Sequence, residues 1–327
     1  MKKNDFWKTI FLSVIGMVTV SEAKAEVDPN FYVYLCIGQS NMEGQGQIYS
    51  ADKKVDERFL MMSPIDFGGR KKGVWQKAVP PLCRYNTGLC PADYFGRTML
   101  EHLPENVRIG VINVSVAGCG IDLFHPENCD TYIKNWAKEG WQIERVNAYD
   151  RIPLQKLLDA AKLAQQDGVI KGILLHQGET DAYNDQWLTK VKRVYENILE
   201  QLSLSADSVP LIAGEAVGSD QNGQCASANT TINKLPKKIS TAHVVSSKGC
   251  TAQSDHLHFS SAGYRELGKR YAEKMLELMG IDMAVQQPTV STASDAYYSL
   301  DGRQLQGLQR GLNIVRKGGH VRKVLVK

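Results

Sequence analysis

Apolar positions gather into five short runs, residues 31–37, 109–115, 170–176, 210–217 and 242–246. Runs with little polar alternation mark strands buried on both faces of a sheet. A different period lies between and after them. Leu154, Leu157, Leu158 and Ala161 recur at i, i+3, i+4 and i+7. Trp187, Val191, Val194, Tyr195, Ile198 and Leu202 keep the helical spacing, as do Leu267, Tyr271, Met275 and Leu278. Ser260 or Ser261 supplies the N-cap of this last helix, and Gly280 stops it. Strands alternating with helices predict an α/β fold with a doubly wound, five-stranded parallel sheet.

The pattern changes at both ends. Lys2, Lys3 and Lys8 precede an apolar stretch over 9–20, and Ala23-Lys24-Ala25 follows. That stretch is shorter than the about 20 residues a spanning helix needs. Residues 1–25 therefore read as a signal peptide for export. Residues 26–281 form the main domain. A polar segment at 282–297 reads as a linker, and 298–327 as a small β tail. Asp301-Gly302 and Gly318-Gly319 are its hairpin turns. The tail resembles C-terminal sorting tails of exported Bacteroidetes-type proteins; packing as a β-flap on the main domain is the other reading.

The chain has 327 residues, 43% hydrophobic and 23% charged, with a net charge of +4. This composition supports a sizeable core and excludes wholesale disorder. The charge is too mild and dispersed for a nucleic-acid-binding face, and no span remains after leader removal. There are seven cysteines. In an exported protein their local spacing suggests bridges 83–90, 119–129 and 225–250, leaving Cys36 as a buried free thiol. No Cys/His cluster has zinc-ligand spacing, and no cofactor motif is present.

In an open parallel sheet, sites form beyond the carboxyl ends of the strands. The first strand runs into Gly38-Gln39-Ser40-Asn41-Met42, a turn that can present the Ser40 hydroxyl. The second runs into Ala117-Gly118-Cys119-Gly120, where glycine lets a backbone N–H approach a ligand. The third runs into His176-Gln177-Gly178-Glu179-Thr180-Asp181, with an amide donor and two carboxylates. The fifth is followed by Asp255-His256-Leu257-His258, where one turn can set a carboxylate beside an imidazole. Each alone is ordinary turn chemistry; their succession along one sheet points to a serine hydrolase.

With these four segments, GQSNMEGQG, VAGCGI, HQGETD and DHLHFS, the chain resembles the SGNH hydrolase superfamily, and within it the sialate O-acetylesterase / acetylxylan esterase branch of carbohydrate esterases, family six. The matching segments span residues 38–260. The third block carries Gln177, as in this branch, where the wider superfamily has Asn. In the second block Cys119 departs from the GGTSI of relatives. The resemblance implies a flavodoxin-like sheet and a secreted serine esterase that removes O-acetyl groups through an acetyl-enzyme. It implies Ser40 as nucleophile, His258 as base and Asp255 as orienting acid, with Glu179 the alternative acid. The Ser40 and Gly118 N–H groups and the Gln177 side chain would form the oxyanion hole.

The expected partner is an acetylated oligo- or polysaccharide, either acetylated xylan or acetylated sialic acid, with Trp75, Trp136 and Trp141 as candidate sugar-stacking residues. The expected protein is a monomer without metal or cofactor, in the periplasm, at the surface or outside a Gram-negative cell. Two alternatives stay open: a carbohydrate-binding surface protein with a vestigial site, and a lipase-like esterase of broader specificity.

Overall fold

The structure is a computed structural model and describes residues 26–281, 296–299, 303–317 and 320–326. The leader (1–25), most of the linker (282–295) and the turn residues Asp301, Gly302, Gly318 and Gly319 lie outside the described residues.

The main sheet contains β1 (Phe31–Gly38), β2 (Phe59–Met62), β3 (Trp75–Lys77), β4 (Arg108–Ser115), β5 (Val169–His176), β6 (Leu211–Gly214) and β7 (Ala242–Val245). Their order is β3-β2-β4-β1-β5-β6-β7. All neighbours are parallel except β2 and β3. The five strands read from the sequence are β4-β1-β5-β6-β7, a doubly wound flavodoxin-like order. The sheet nonetheless has seven strands, not five. The two extra strands are three and four residues long and lie at one end of the sheet. Strand β6 stops at Gly214, before the predicted 217, because the Ala216 N–H leaves the ladder and donates to Asn229 Oδ1 at 2.8 Å.

The helices are α1 (Ser40–Glu43), α2 (Pro91–His102), α3 (Cys129–Trp136), α4 (Gly140–Asn147), α5 (Pro153–Ala164), α6 (Trp187–Leu202), α7 (Asn229–Ile232), α8 (Leu235–Lys238) and α9 (Ser261–Leu278). Strand alternation divides the core between the two faces of the sheet. Val33, Leu35 and Ile37 of β1 join a cluster with Leu157 and Ala161 of α5 and Val191 and Ile198 of α6. Tyr34 and Cys36 face the other way, into a cluster with Phe95 and Met99 of α2 and Leu267 and Tyr271 of α9. The predicted cap of α9 is Ser260, whose hydroxyl accepts from Gly263 N at 3.1 Å, and Gly280 follows the helix with φ 71°. Among the described residues no helix is long and apolar enough to cross a membrane.

Near the C-terminus β8 (Ala296–Tyr298), β9 (Gln304–Leu305), β10 (Gly311–Lys317) and β11 (His320–Val326) form an antiparallel sheet ordered β11-β10-β8-β9. Its first strand starts inside the segment read as linker. Buried Asn313 holds the entry to β10, donating to Gln309 O at 2.7 Å and accepting from Gln309 N at 3.0 Å.

The disulfide expectation is corrected. All seven cysteines are free thiols. The sulfurs face unrelated partners: Cys83 Sγ lies 3.3 Å from Tyr149 Oη, Cys119 Sγ is directed at Gly38 O (3.9 Å), and Cys129 Sγ at Arg151 O (3.9 Å). Proximity in sequence placed them on different elements. Burial pushes the thiols of Cys36, Cys83, Cys90 and Cys119 above the usual cysteine range.

Candidate active site

Strand β1 ends at Gly38, where a Cβ would lie 2.1 Å from His176 O of the neighbouring strand. Glycine therefore lets the ends of β1 and β5 close together. The Gln39 N–H donates to His176 O at 3.0 Å, and the chain turns into the single-turn helix α1 with Ser40 as its first residue. A first-turn N–H has no partner within its helix, and the Ser40 N–H finds none elsewhere among the described residues.

Ser40 Oγ lies 2.9 Å from His258 Nε2. His258 Nδ1 lies 2.6 Å from Asp255 Oδ2. The other carboxylate oxygen, Oδ1, accepts from the Leu257 and His258 N–H groups at 3.0 Å each. The turn closes through His256, which takes a left-handed φ of 52°. Partial burial works to raise the Asp255 pKa. The two amides and the His258 imidazole outweigh it and hold the carboxyl below the usual range. His256 Nδ1 is 3.0 Å from Gln221 O, on a different partner from the nucleophile.

Glu179 occupies a different place. It is buried, accepts from Asn41 Nδ2 at 2.6 Å and lies 3.4 Å from His176 Nε2. Burial would raise its pKa, but His176 and Asn41 outweigh that and lower it. It makes no hydrogen bond to His258. Of the two candidate acids, Asp255 is the one in contact with the imidazole.

Gly118 has φ +73°, and a Cβ there would meet Trp141 Cη2 at 3.0 Å. Both the backbone and the crowding call for glycine. The preceding Ala117 N–H is tied to the buried Glu43 carboxylate at 2.9 Å, and Glu43 is paired with buried Arg84 at 2.5 Å. The Gly118 N–H has no acceptor among the described residues.

A cleft of about 320 Å³ joins these groups; Gln39, Ser40, Gly118, Trp141, Arg145 and His258 line it. Gln177 does not line it. Its Oε1 accepts from Trp187 Nε1, and its Nε2 donates to Asp181 Oδ2 at 2.5 Å, with Gln39 Oε1 at 3.3 Å. The amide read from the sequence as a direct donor therefore serves the wall behind the cleft. Of the three candidate tryptophans, Trp141 lines the cleft, and Trp136 packs edge-on against it at 6.0 Å. Trp75 packs on Phe31, near the opposite end of β1 from Ser40.

Several residues of the site went unread in the sequence. Asn41 bonds to Glu179, Leu257 O, Phe259 N and Tyr264 Oη, so it ties the loops after β1 and β5 to the turn carrying His258. The signal was present in GQSNM, but a structural asparagine has no period. Arg145 also went unread; with the expected Trp141 it lies on α4, a two-turn helix between longer elements. A cavity of about 350 Å³ elsewhere contains His125, but that imidazole faces Glu127 at 3.1 Å. Among the described residues no group of three His, Cys, Asp or Glu could hold a metal ion.

The family model described as "Carbohydrate esterase, sialic acid-specific acetylesterase" matches residues 30–277. A probable carbohydrate esterase of Arabidopsis thaliana is 24% identical over 286 residues, covering 80% of this chain and 97% of that one. The crystal structure of NanS superposes with a TM-score of 0.54 at 16% identity, covering 78% of this chain and 99% of that one. A carbohydrate acetylesterase of Xanthomonas citri gives 0.54 at 13% identity, covering 86% of this chain and 62% of that one. These two likenesses carry the fold.

Proposed function

The chain belongs to the sialic acid-specific acetylesterase family of carbohydrate esterases, and from that membership we propose a serine esterase that removes O-acetyl groups from an acidic sugar, working outside the cytoplasm. That it is a carboxylic ester hydrolase acting on acetylated carbohydrate follows from the family. The serine mechanism rests on one observation, the unbroken run from Ser40 Oγ through His258 to Asp255 at 2.9 and 2.6 Å.

Each group has one task. Ser40 Oγ attacks the acetyl carbonyl as its proton passes to His258 Nε2. The N–H groups of Ser40 and Gly118 hold the tetrahedral oxyanion. His258 then gives its proton to the departing sugar oxygen, leaving acetyl-Ser40. It next takes a proton from water, which attacks the acetyl carbonyl, and returns that proton to Ser40 as acetate leaves. Asp255 orients the ring and stabilises its charged form throughout. Carbohydrate binding with a vestigial site is disfavoured because the reacting groups are in contact.

Arg145 supports the acidic substrate. Its guanidinium stacks over Trp141 at 4.7 Å from the ring centroid, and its nearest carboxylate, Glu43, is 3.8 Å away. Arg145 makes no hydrogen bond among the described residues, so its donors can receive a sugar carboxylate. O-acetylated sialic acid carries such a group; acetylated xylose units do not. Acetate release from both, beside a chromogenic acetate ester, tests this. The acidic-sugar reading predicts a preference for sialic acid that Arg145→Met removes; equal or faster turnover of acetylxylan rejects it. Octanoate esters outpacing acetate would bring back the lipase-like reading. Ser40→Ala should lower kcat by 10³-fold or more, on the order seen for triad members; retention of about a tenth of wild-type kcat/KM would reject the nucleophile. The export reading rests on the leader pattern of residues 1–25, and a mature N-terminus at Glu26 would bear it out.

A further inference from the structure

Arg145 lines two recesses. One is the catalytic cleft. The other, a cavity of about 160 Å³, shares no other lining residue with it. The loop after β2, the loop before α2 and α4 build this second cavity, with Asp66, Tyr85, Asn86 and Glu144 among its walls. Tyr85 is 68% exposed, and neither its ring nor its hydroxyl has a partner among the described residues. The side chains of Asn86 and Glu144 likewise make no hydrogen bond or ion pair among the described residues. An uncovered aromatic face beside uncommitted polar groups suits a sugar: the ring covers the C–H face of a pyranose, and the polar groups take its hydroxyls. Arg84 also lines the cavity, but its guanidinium is committed to the buried Glu43 carboxylate. Apart from Arg145, the uncommitted charge facing this cavity is therefore negative.

We propose that the second cavity is an aglycone subsite: the preferred substrate is an O-acetylated sialic acid still linked to a neutral sugar, and Tyr85 stacks on that neighbouring sugar. This deepens the acidic-sugar reading above and rests on it. In a sialic acid the carboxylate and the glycosidic oxygen are bonded to the same carbon. Where Arg145 holds the carboxylate, the linked sugar must leave the cleft beside Arg145, which is where the second cavity begins. The acetylated oxygens are on other carbons, so the ester can sit at Ser40 while the linkage points away from it. Stacking on Trp141 fixes the guanidinium at this junction. The Asp66 and Glu144 carboxylates accept hydroxyl hydrogens but repel a second acidic sugar, which selects a neutral one.

The test compares kcat/KM for acetate release from two substrates: the α-methyl glycoside of O-acetylated sialic acid, and the same sugar α-linked to lactose. The methyl glycoside keeps the anomeric configuration and omits the neighbouring sugar. The lactose-linked ester should be faster by about tenfold, the scale of one well-placed aromatic contact. Tyr85→Ala should bring the ratio of the two values close to one, and Glu144→Gln should lower it less. A general loss of fold or chemistry lowers both values alike, so the ratio does not report it. Equal values for the two substrates in wild type, or a Tyr85→Ala ratio unchanged from wild type, would overturn the subsite. The same ester linked to a second sialic acid should be slower than the lactose-linked one; equal or faster turnover would overturn the neutral-sugar assignment. Arg145→Met separates this inference from the reading beneath it. If that variant slows neither sialic substrate, the acidic-sugar reading fails and the subsite with it. If it slows both while the two remain equal in wild type, only the subsite fails.

Discussion

On one side of the cleft Asp255 and His258 are three residues apart, joined by a single turn, and the Asp255 side chain is 45% exposed. On the other side Asn41, Glu179, His176, Glu43 and Arg84 are buried and bonded across long stretches of chain; Asn41 and Glu179 are 138 positions apart. The first group handles the proton. The second holds the loops that carry Ser40, Gly118 and His258. An exposed pair contributes little to stability and can be tuned for chemistry. Removing a partner from a buried polar cluster costs folding energy as well as geometry; here His176 Nε2 and Glu179 Oε2 already lack a hydrogen-bond partner among the described residues.

The widest separation between the two sides should come from Asp255→Asn. Kcat should fall on the order of 10³–10⁴-fold, as for the equivalent change in serine proteases, with unfolding by urea almost unchanged. Glu179→Gln should cost less activity than this; a loss tenfold greater than that of Asp255→Asn would reverse the roles of the two acids.

Next in size is Arg84→Met, which leaves Glu43 buried beside only the more distant Arg145. A loss of about 3–5 kcal/mol in unfolding free energy is expected, with a fall in kcat because the Ala117–Gly118 turn loses its anchor. Unchanged stability would show that the Glu43 cluster does not hold the loop.

Asn41→Ala should cost about 2–3 kcal/mol, since Glu179 and Tyr264 each lose a buried partner. Because the turn carrying His258 loses its tie to the nucleophile loop, kcat should fall more than KM rises. A variant with full stability would move Asn41 out of the supporting cluster.

The smallest effect concerns acid. The folded-state pKa of Glu179 is lowered, so its stabilising contribution is present above the unfolded value and is lost as pH falls through the folded one. Wild type should therefore lose stability below about pH 4.5, the ordinary glutamate value. Glu179→Gln should lose less over the same interval. Urea titrations at pH 7 and pH 3.5 measure the difference, and parallel curves for the two proteins would show that the Glu179 carboxylate is not linked to folding.

The legible parts of the molecule share a property. Strands β1, β4, β5, β6 and β7 appear as apolar runs, and α5, α6 and α9 as periodic ones, because a segment buried along its length repeats one local rule. Strands β2 and β3 at one end of the sheet and rim helices α3 and α4 are short and give no such repetition. The same division holds within the site. Ser40 at a strand end and the Asp255–His258 turn can be picked out because each is local chemistry.

The amino-acid sequence by itself determined the alternation of strands and helices, the strand ends where chemistry gathers and the acid–base turn, since each follows from burial periodicity or from contacts within a few residues. Only the tertiary structure decided that Asp255 meets His258 while Glu179 meets Asn41 and His176, that neighbouring cysteines face different partners, and that Gln39 lines the cleft with Gln177 behind it. Those outcomes depend on which atoms of distant segments meet across the carboxyl end of the sheet. Gln39 and Gln177 are 138 residues apart, and which of them reaches the cleft follows from the Asp181 and Trp187 side chains that hold Gln177 back.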